Sequence, residues 1–273
     1  TSIEALYKKF YAWLGEPALF KWAQPGVYEY SDVYPLIYFK MQIEGAEPFD
    51  EVKHLVIDEM QDYTPVQYTV LSQLFHCKKT ILGDAWQSVN PISSSNAEAI
   101  NEILPAAQRV YLNKSYRSTI QISNLAQRIN RNENLVPIER HGEEPGFHEC
   151  EDHSDEMQRI RELLGRHIES DYKSLGIVCK TQEAAARVYE AVKDLSLSIN
   201  LIDPTSTSFS NGITIATAHL AKGLEFDEVI LPFCDDETYN TAIDRHMLYV
   251  GCTRAMHRLS LTFSGKLSLF LAN

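Results

Sequence analysis

The hydrophobic pattern of the first 50 residues predicts helices. In the segment IEALYKKFYAWL, residues 3–14, apolar side chains recur three and four positions apart, which is the spacing of one face of an α-helix. The segment SDVYPLIYFKMQIEG, residues 31–45, is a second helical candidate, with Pro35 near its start. This aromatic-rich lead, residues 1–50, carries no recognisable chemistry.

From residue 51 onward, short apolar runs alternate with amphipathic segments. The runs predict strands over VKHLVID, TILGD, RVYLN, GFHECE, SLGIVCK, SINLID, GITIATAH, EVILPF and RLSLTF. The amphipathic segments predict helices over PVQYTVLSQLF, NAEAINEIL, TIQISNLAQRINRN, DEMQRIRELLGRHI, TQEAAARVYEAVKDL and TAIDRHMLYVGCTRAMH. This alternation indicates an α/β fold with a mainly parallel sheet covered on both faces.

Local signals mark the start of one helix and the position of one loop. Thr64 is a good N-cap, Pro65 suits the first helical position, and Gln67 stands where a capping box needs it. The segment TSTSFSN, residues 205–211, has the composition of a loop.

Composition narrows the class of protein. The 273 residues, 44% hydrophobic and 23% charged, are typical of a soluble globular protein of about two domains. No apolar run approaches the ~20 residues of a membrane-spanning helix, so we expect no membrane partner and a cytoplasmic location. A net charge of -12 argues against a protein that coats nucleic acid through bulk electrostatics, although a narrow basic track remains compatible with it.

The cysteines indicate a reducing compartment. They are five in number, widely spaced and without a CxxC pair, so neither a disulfide framework nor a cysteine zinc site is expected. One local cluster of histidines and a cysteine matches no zinc spacing: His141, His148, Cys150 and His153.

Polar residues follow two neighbouring predicted strands, where open α/β sheets bind ligands at the carboxyl ends of their strands. Asp58 and Glu59 follow the first strand, and Asp84 and Gln87 follow the second. One such carboxylate can hold hydrated Mg²⁺, and its neighbour can polarise an attacking water. Alternatively, the carboxylates only interact favourably with the positive end of the helix that begins at Pro65. These carboxylates are Asp58, Glu59 and Asp62.

Five segments in a fixed order carry a family resemblance. IDEMQD, LGDAWQS, LNKSYRS, TAHLAKGLEFD and LYVGCTRA resemble the Walker B, third, fourth, fifth and sixth motifs of the UvrD/Rep-like superfamily 1 helicases. The resemblance runs from about residue 51 to the C-terminus. Three features are similar to the helicase IV and HelD branch, whose HelD members are associated with RNA polymerase. They are the sequence VIDEMQDYTPVQ, the residue spacing within LGDAWQSV and the helical lead over residues 1–50.

The resemblance implies roles for the first group of polar residues. Asp58 would bind Mg²⁺, and Glu59 would be the general base for ATP hydrolysis. Asp84 would belong to the nucleotide-binding set, and Gln87 would sense the γ-phosphate. ATP and Mg²⁺ are therefore the expected nucleotide and metal.

The resemblance also implies roles in the later motifs. Tyr116 would stack on the adenine, while Arg117 and Arg254 would reach the γ-phosphate as paired arginine fingers. Glu225 would lie near the ribose, and Gly223 would allow close approach. Planar guanidinium groups suit this work because phosphoryl transfer depends on positioning and on neutralising charge.

Two further residues are implied in nucleic-acid coupling. Thr217 and His219, in the fifth motif, would connect the nucleotide cleft to the nucleic-acid strand, with single-stranded DNA as the expected partner. The interval between residue 195 and the fifth motif is short, which leaves little room for an accessory subdomain that splits duplexes. We therefore expect a translocase or remodelling ATPase more readily than a processive unwinder.

The sequence departs from the family in lacking a P-loop. The only Gly-Lys pair, Gly265-Lys266, is followed by Leu267 and does not match GxxxxGK[ST]. We expect a C-terminal piece of a longer protein, inactive as an ATPase by itself. The predicted organisation is a helical lead over 1–50, a partial first RecA-like domain over 51–110 without its Walker A segment, and a complete second RecA-like domain over 111–273.

Three functions are compatible with these features. The leading hypothesis is the C-terminal motor portion of an ATP-dependent UvrD-like DNA helicase or translocase. The alternative is a HelD-type, RNA polymerase-associated ATPase that remodels or recycles transcription complexes. A third hypothesis is a degenerate RecA-like fold kept for protein contacts, which the presence of Asp58, Glu59, Arg117 and Arg254 disfavours.

Overall fold

A computed structural model describes residues 2–87, 96–206 and 212–272. The chain divides into two compact units, Thr1–Val110 and Tyr111–Asn273, which we call unit 1 and unit 2. The loop SVNPISSSN, residues 88–96, and the loop TSTSFSN lie almost entirely outside the described residues.

Unit 1 combines four helices with two small sheets. Its helices are α1 (Ile3–Trp13), α2 (Tyr30–Glu44), α3 (Pro65–Leu74) and α4 (Ala97–Ile103). An antiparallel pair joins β1 (Trp22–Gln24) and β2 (Val27–Tyr28), and a parallel pair joins β3 (His54–Ile57) and β4 (Lys78–Ile81). The 3-10 turns are Pro17–Leu19, Met60–Asp62 and Ala85–Gln87.

The lead helices pack around a buried carboxylate. Asp32 is buried in α2 and accepts hydrogen bonds from the hydroxyls of Tyr7 (2.8 Å) and Tyr11 (2.9 Å) in α1. Burial, the Tyr11 hydroxyl and Asp32 together raise the pKa of Tyr7 well above its usual value. The aromatic content of this lead therefore serves packing.

The start of α3 follows the expected capping box. Thr64 Oγ1 accepts from Gln67 N at 3.3 Å, and Gln67 Oε1 accepts from Thr64 N at 2.6 Å. The helix then buries Tyr68 against Ile57 of β3 and Ile100 of α4. This packing positions the segment that follows β3.

Unit 2 is built on a parallel sheet of six strands. The strands are β7 (Gly146–Cys150), β8 (Leu175–Cys179), β9 (Ile199–Leu201), β10 (Ile213–Thr217), β11 (Phe226–Leu231) and β12 (Ala255–Ser264), in the order β7-β12-β11-β8-β10-β9. Its helices are α5 (Ile120–Ile129), α6 (His153–Ile168), α7 (Gln182–Val192) and α8 (Ala242–Thr253). A separate parallel pair joins β5 (Lys114–Ser115) and β6 (Val136–Pro137).

Burial explains why the central strands of unit 2 are nearly continuous apolar runs. All residues of β8 and β10 are buried, as expected for parallel strands covered on both faces. The fold class is thus confirmed as α/β with a parallel sheet. The assignment of 51–110 to a partial RecA-like domain stays a prediction.

All five cysteines are free thiols. Four are buried in unit 2, namely Cys150, Cys179, Cys234 and Cys252, and Cys77 of unit 1 is partly exposed. Burial raises the pKa of Cys150 to about 11 and that of Cys252 to about 12. Among the described residues, no group of three or more histidine, cysteine or acidic side chains is arranged to hold a metal ion.

One predicted strand was wrong, and one predicted helix ends earlier than expected. The segment RVYLN, residues 109–113, is not a strand; Val110 is 74% and Leu112 88% exposed, and pairing begins only at Lys114. Apolar residues predict a strand only where a neighbouring strand covers them, which the sequence pattern does not reveal. The helix predicted over 241–257 ends at Thr253, because Ala255–His257 instead pair in β12.

Across residues 2–87, 96–206 and 212–272, none of the helices has the length and apolar character needed to cross a membrane.

Candidate functional site

The first candidate site follows β3 in unit 1. Asp58 is exposed, and its Oδ1 accepts the backbone N–H of Glu59 at 2.8 Å. Glu59 has φ 53° and ψ 51°, in the left-handed region that residues other than glycine rarely adopt. Strained backbone of this kind is concentrated at functional sites, where the surrounding structure maintains it.

A buried amide joins this carboxylate to the neighbouring segment. Gln61 is 1% exposed, and its Nε2 donates to Glu59 Oε2 at 2.6 Å. Its Oε1 accepts the backbone N–H of Asp84 at 3.1 Å. Gln61 therefore bridges the residues that follow β3 and β4.

The bridge continues to the other predicted residue of this site. Gln87 Nε2 donates to Asp84 Oδ2 at 3.0 Å, and Gln87 N donates to Asp84 O at 3.0 Å. One series of hydrogen bonds therefore connects Glu59, Gln61, Asp84 and Gln87. The structure brings together Asp58, Glu59, Asp84 and Gln87, although their proposed roles remain predictions.

Sequence reasoning assigned no role to Gln61. The residue stands within the quoted motif IDEMQD, but its polarity alone predicts an exposed turn position. Its importance comes from burial beside Asp84, which lies 23 residues away in the chain. The sequence signal that could have identified Gln61 is its position shortly after the carboxyl end of a predicted strand.

The acidic site fits Mg²⁺ as a partner of nucleotide. Mg²⁺ usually takes one or two carboxylates and fills its remaining positions with water and phosphate oxygens. Asp58 offers an exposed carboxylate, already oriented by the Glu59 N–H. A site with one exposed carboxylate suits a metal that arrives with phosphates better than an all-protein metal cage.

The second candidate site lies in unit 2 and is basic. Arg117 Nε donates to Glu225 Oε1 at 2.5 Å, although the two residues are 108 positions apart in the chain. Their side chains are 33% and 43% exposed. The residues assigned to γ-phosphate and ribose are thus adjacent.

Arg254 joins the same region from the end of α8. It is 1% exposed, and its guanidinium donates to the carbonyl oxygens of Leu224 and Val250, both at 3.3 Å. Ser118 Oγ donates to Ala255 O at 2.6 Å, which holds the segment after Arg117 near the start of β12. Residues Arg117, Glu225 and Arg254 thus converge on one edge of the sheet.

Two more predicted residues flank this basic site. Tyr116 is 66% exposed, so its ring face is accessible. Gly223 has φ +80°, a conformation that glycine adopts without steric cost. The turn itself therefore favours glycine at this position, and the close approach of nucleotide stays a prediction.

The two residues predicted to couple nucleotide and nucleic acid, Thr217 and His219, lie at the carboxyl ends of the strands. Thr217 ends β10 and its Oγ1 accepts Leu220 N at 3.2 Å, whereas His219 is exposed in the following turn. Glu225 immediately precedes β11. Because β10 and β11 are both parallel to β8, residues 218–225 run from the carboxyl ends of the strands back to their amino ends.

The polar residues of the two units lie at opposite ends of their strands. Asp58, Glu59 and Asp84 of unit 1 follow the carboxyl ends of β3 and β4, as the sequence predicts. In unit 2, Glu225 and Arg254 instead precede β11 and β12, at their amino ends. The physical reason is that Arg254 caps α8, whose C-terminus leads directly into β12.

Comparison with known proteins identifies a helicase relationship. Residues 190–266 match the UvrD-like helicase C-terminal domain family. The ATP-dependent DNA helicase UvrD2 of Mycobacterium tuberculosis is 31% identical over 140 residues, covering 46% of this chain and 20% of that protein. The putative ATP-dependent DNA helicase R568 of Acanthamoeba polyphaga mimivirus is 24% identical over 253 residues, covering 80% of this chain and 35% of that protein.

A solved structure agrees with this relationship. The C-terminal domain of a possible DNA helicase from Lactobacillus plantarum WCFS1 matches with a TM-score of 0.50 and 28% identity, covering 58% of this chain and 92% of that one. The chain spans only 20% and 35% of the lengths of the two helicases above. Together these matches show that residues 190–266 are similar to the C-terminal domain of UvrD-like helicases and that the chain is similar to parts of DNA helicases.

Proposed function

We propose that this chain is the C-terminal motor portion of an ATP-dependent UvrD-like DNA helicase or translocase, which couples ATP hydrolysis to movement on single-stranded DNA. The observation that carries the proposal is the convergence of Arg117, Glu225 and Arg254, which are remote in sequence, on one edge of the unit 2 sheet. Two of these three residues lie inside the matched helicase segment, residues 190–266.

In the proposed reaction, the two sites divide the chemistry. Glu59 accepts a proton from the attacking water, and Gln87 orients groups at the γ-phosphate. Arg117 and Arg254 neutralise the negative charge of the transferring phosphoryl group, for which planar guanidinium donors are well suited. Asp58 would hold Mg²⁺, which when bound to the phosphates supplies charge neutralisation. The P-loop that such a motor needs would be contributed by sequence outside this chain.

The segment 218–225 supplies the proposed coupling between nucleotide and DNA. Its hydrogen bonds, Ala218 N to Cys179 O at 2.9 Å and Ala221 N to Thr217 O at 2.8 Å, fix the segment to the sheet. It joins Thr217 and His219 at one edge to Glu225 at the other. Nucleotide contacts at Glu225 would thereby alter the DNA contacts of the opposite edge.

The alternative function, an RNA polymerase-associated ATPase, rests on the amino-acid sequence of the motifs around Asp58 and Gln87. It predicts that the longer protein binds RNA polymerase and that its ATPase responds to the polymerase more than to single-stranded DNA. Measuring ATP turnover with each added separately distinguishes these partners. Stimulation by polymerase alone would replace our leading proposal with this alternative.

The decisive test of the enzyme uses Glu59→Gln in the complete protein. We expect nucleotide binding to be retained and DNA-stimulated kcat to fall by about 100-fold or more, because the general base is removed. The matched control is Glu133→Gln, which changes a residue whose side chain is 77% exposed. Normal turnover in Glu59→Gln would remove Glu59 from the mechanism.

A second test addresses the chain itself. The 273 residues are expected to show no DNA-stimulated ATPase activity, because they contain no P-loop sequence. Measurable turnover by this isolated chain would contradict the proposal that another segment supplies phosphate binding.

A further inference from the structure

The buried amide of Gln61 is placed to orient the proposed general base. Its Nε2 lies 2.6 Å from Glu59 Oε2, and its Oε1 lies 3.1 Å from Asp84 N. We propose that Gln61 is a positioning residue for ATP hydrolysis, which fixes the Glu59 carboxylate relative to the segment that carries Gln87. This inference rests on the proposed function of Glu59 and extends it to a residue outside the assigned roles.

The hydrogen-bonding partners determine which way the amide faces. The backbone N–H of Asp84 can only donate, so the Gln61 atom beside it must be the carbonyl oxygen. The amide nitrogen then faces Glu59, whose ionised carboxylate can only accept. Each end of the Gln61 side chain thus has a specific partner, and glutamate, which lacks the NH₂ donor, cannot replace both interactions.

Space around the amide is restricted by Gly83. A Cβ atom at position 83 would lie 2.5 Å from both Gln61 Oε1 and Met60 N, and 2.6 Å from Met60 Cγ. Met60 N also donates to Leu82 O at 2.8 Å, so the two segments are held close together. Glycine at this position allows the amide to reach Asp84, and a larger residue would displace it.

The backbone of Glu59 explains why such a contact is needed. A non-glycine residue in the left-handed region is held there by its surroundings, here by hydrogen bonds on both sides of the turn. A carboxylate on a strained turn has several available rotamers unless a neighbour selects one. The Gln61 amide holds one oxygen of the Glu59 carboxylate, Oε2, through a hydrogen bond.

The first experiment compares steady-state ATPase activity of Gln61→Glu with wild type in the complete protein. The new carboxylate still accepts from Asp84 N but lacks the amide N–H that donates to Glu59, and the two like charges repel each other. We expect kcat to fall by about 10- to 100-fold, with the KM for ATP changed by less than about threefold, because misplacing a reacting group lowers turnover.

A matched control separates this effect from the change in charge. Gln121 also accepts a backbone N–H through its Oε1, from Gly142 N at 3.0 Å. Gln121→Glu therefore makes the same chemical change at an equivalent hydrogen bond in unit 2. We expect its kcat and its KM for ATP to match wild type.

Two further variants keep the inference testable if Gln61→Glu folds poorly. Gly83→Ala is expected to displace Gln61 and lower kcat in the same direction, whereas Gly165→Ala, where an added Cβ meets nothing within 4 Å, is expected to be neutral. The exchange Glu59→Gln with Gln61→Glu restores a donor facing a carboxylate. It is expected to recover the thermal stability lost in Gln61→Glu without recovering turnover.

The outcomes distinguish the two proposals. A complete protein without ATPase activity overturns the proposed function and this inference with it. An active protein in which Gln61→Glu and Gly83→Ala keep the wild-type kcat overturns only the role of Gln61. A loss of stability in Gln61→Glu with an unchanged kcat would likewise assign Gln61 to folding alone and overturn the inference.

Discussion

The acidic site of unit 1 and the basic site of unit 2 are held in place by different interactions. In unit 1, a neutral amide, Gln61, fixes Glu59 and the Asp84 backbone. In unit 2, Arg117 is held by the charged Glu225, and Arg254 donates to the carbonyl oxygens of Leu224 and Val250. Hydrogen bonds of a buried neutral amide hold the acidic site, whereas an ion pair and the hydrogen bonds of a buried guanidinium hold the basic site.

The difference also separates the two arginines. Arg254 is 1% exposed and belongs to the interior of unit 2, whereas the side chain of Arg117 is 33% exposed. The family resemblance assigns both residues to the γ-phosphate. Their surroundings indicate that substitution of Arg254 will affect folding as well as turnover, while substitution of Arg117 will affect mainly turnover.

The largest effect is expected for Arg254→Ala. Removing a buried guanidinium leaves a cavity and carbonyl groups without their donor, so unit 2 should lose about 2–4 kcal/mol of unfolding free energy. Hydrogen exchange of β11 and β12 amides measures this loss. Arg159→Ala, at a side chain that is 43% exposed, is the control and should leave exchange unchanged. Equal protection in both variants would contradict an interior role for Arg254.

A smaller effect is expected at the strained turn of unit 1. Glu59→Gly and Glu59→Ala both remove the carboxylate, but only glycine adopts positive φ freely. Glu59→Gly should therefore be more stable than Glu59→Ala by about 1 kcal/mol. Trp fluorescence during denaturation reports on this unit, because all three tryptophans, Trp13, Trp22 and Trp86, lie within residues 1–110. Identical midpoints would show that the turn carries no strain.

The stability effect of Arg117→Ala is expected to be smaller still. A partly exposed ion pair contributes at most about 1 kcal/mol, so hydrogen exchange of unit 2 should change little. ATP turnover by the complete protein should nevertheless fall sharply. Glu225→Gln removes the partner and provides the comparison. Turnover that stays normal in Arg117→Ala would restrict the basic site to Arg254.

The smallest effect concerns the acid stability of unit 2. Hydrogen bonding from Arg258 lowers the pKa of Glu143 despite the opposing effect of partial burial, and Arg166 acts in the same direction. A carboxyl with a lowered folded pKa stabilises above its unfolded pKa, and this contribution is lost as the pH falls through the folded value. Glu143→Gln should be less stable than wild type near pH 7.

That difference should disappear in acid, because wild type and Glu143→Gln converge as the pH falls through the lowered folded pKa of Glu143. The effect is modest because the Glu143 side chain is 48% exposed and screened by solvent. Urea denaturation at several pH values, followed by hydrogen exchange of β12, provides the measurement. A constant difference at all pH values would contradict an ionic origin.

The sequence was sufficient where structure depends on local chemistry or on strong periodicity. Thr64 and Gln67 form the expected capping box because both partners lie within one helical turn. The apolar runs of β8 and β10 were recognisable because both faces of these strands are covered. The same logic failed at Val110 and Leu112, whose apolar side chains have no strand to cover them.

The sequence predicts the candidate site only as a set of residues. The motifs single out Glu59, Asp84, Arg117 and Arg254 as candidates without revealing their contacts. The role proposed for Gln61 depends on contact with a segment 23 residues away and on the space left by Gly83. Such distances result from tertiary packing, which neither periodicity nor residue type specifies.

The buried thiols of unit 2 provide a chemical reporter for that half of the chain. A thiol reacts with alkylating reagents as the thiolate, so burial and a raised pKa protect Cys150, Cys179, Cys234 and Cys252 while the sheet is folded. Only Cys77 is partly exposed. Maleimide labelling should therefore modify Cys77 first, and the appearance of further adducts would time the opening of the parallel sheet.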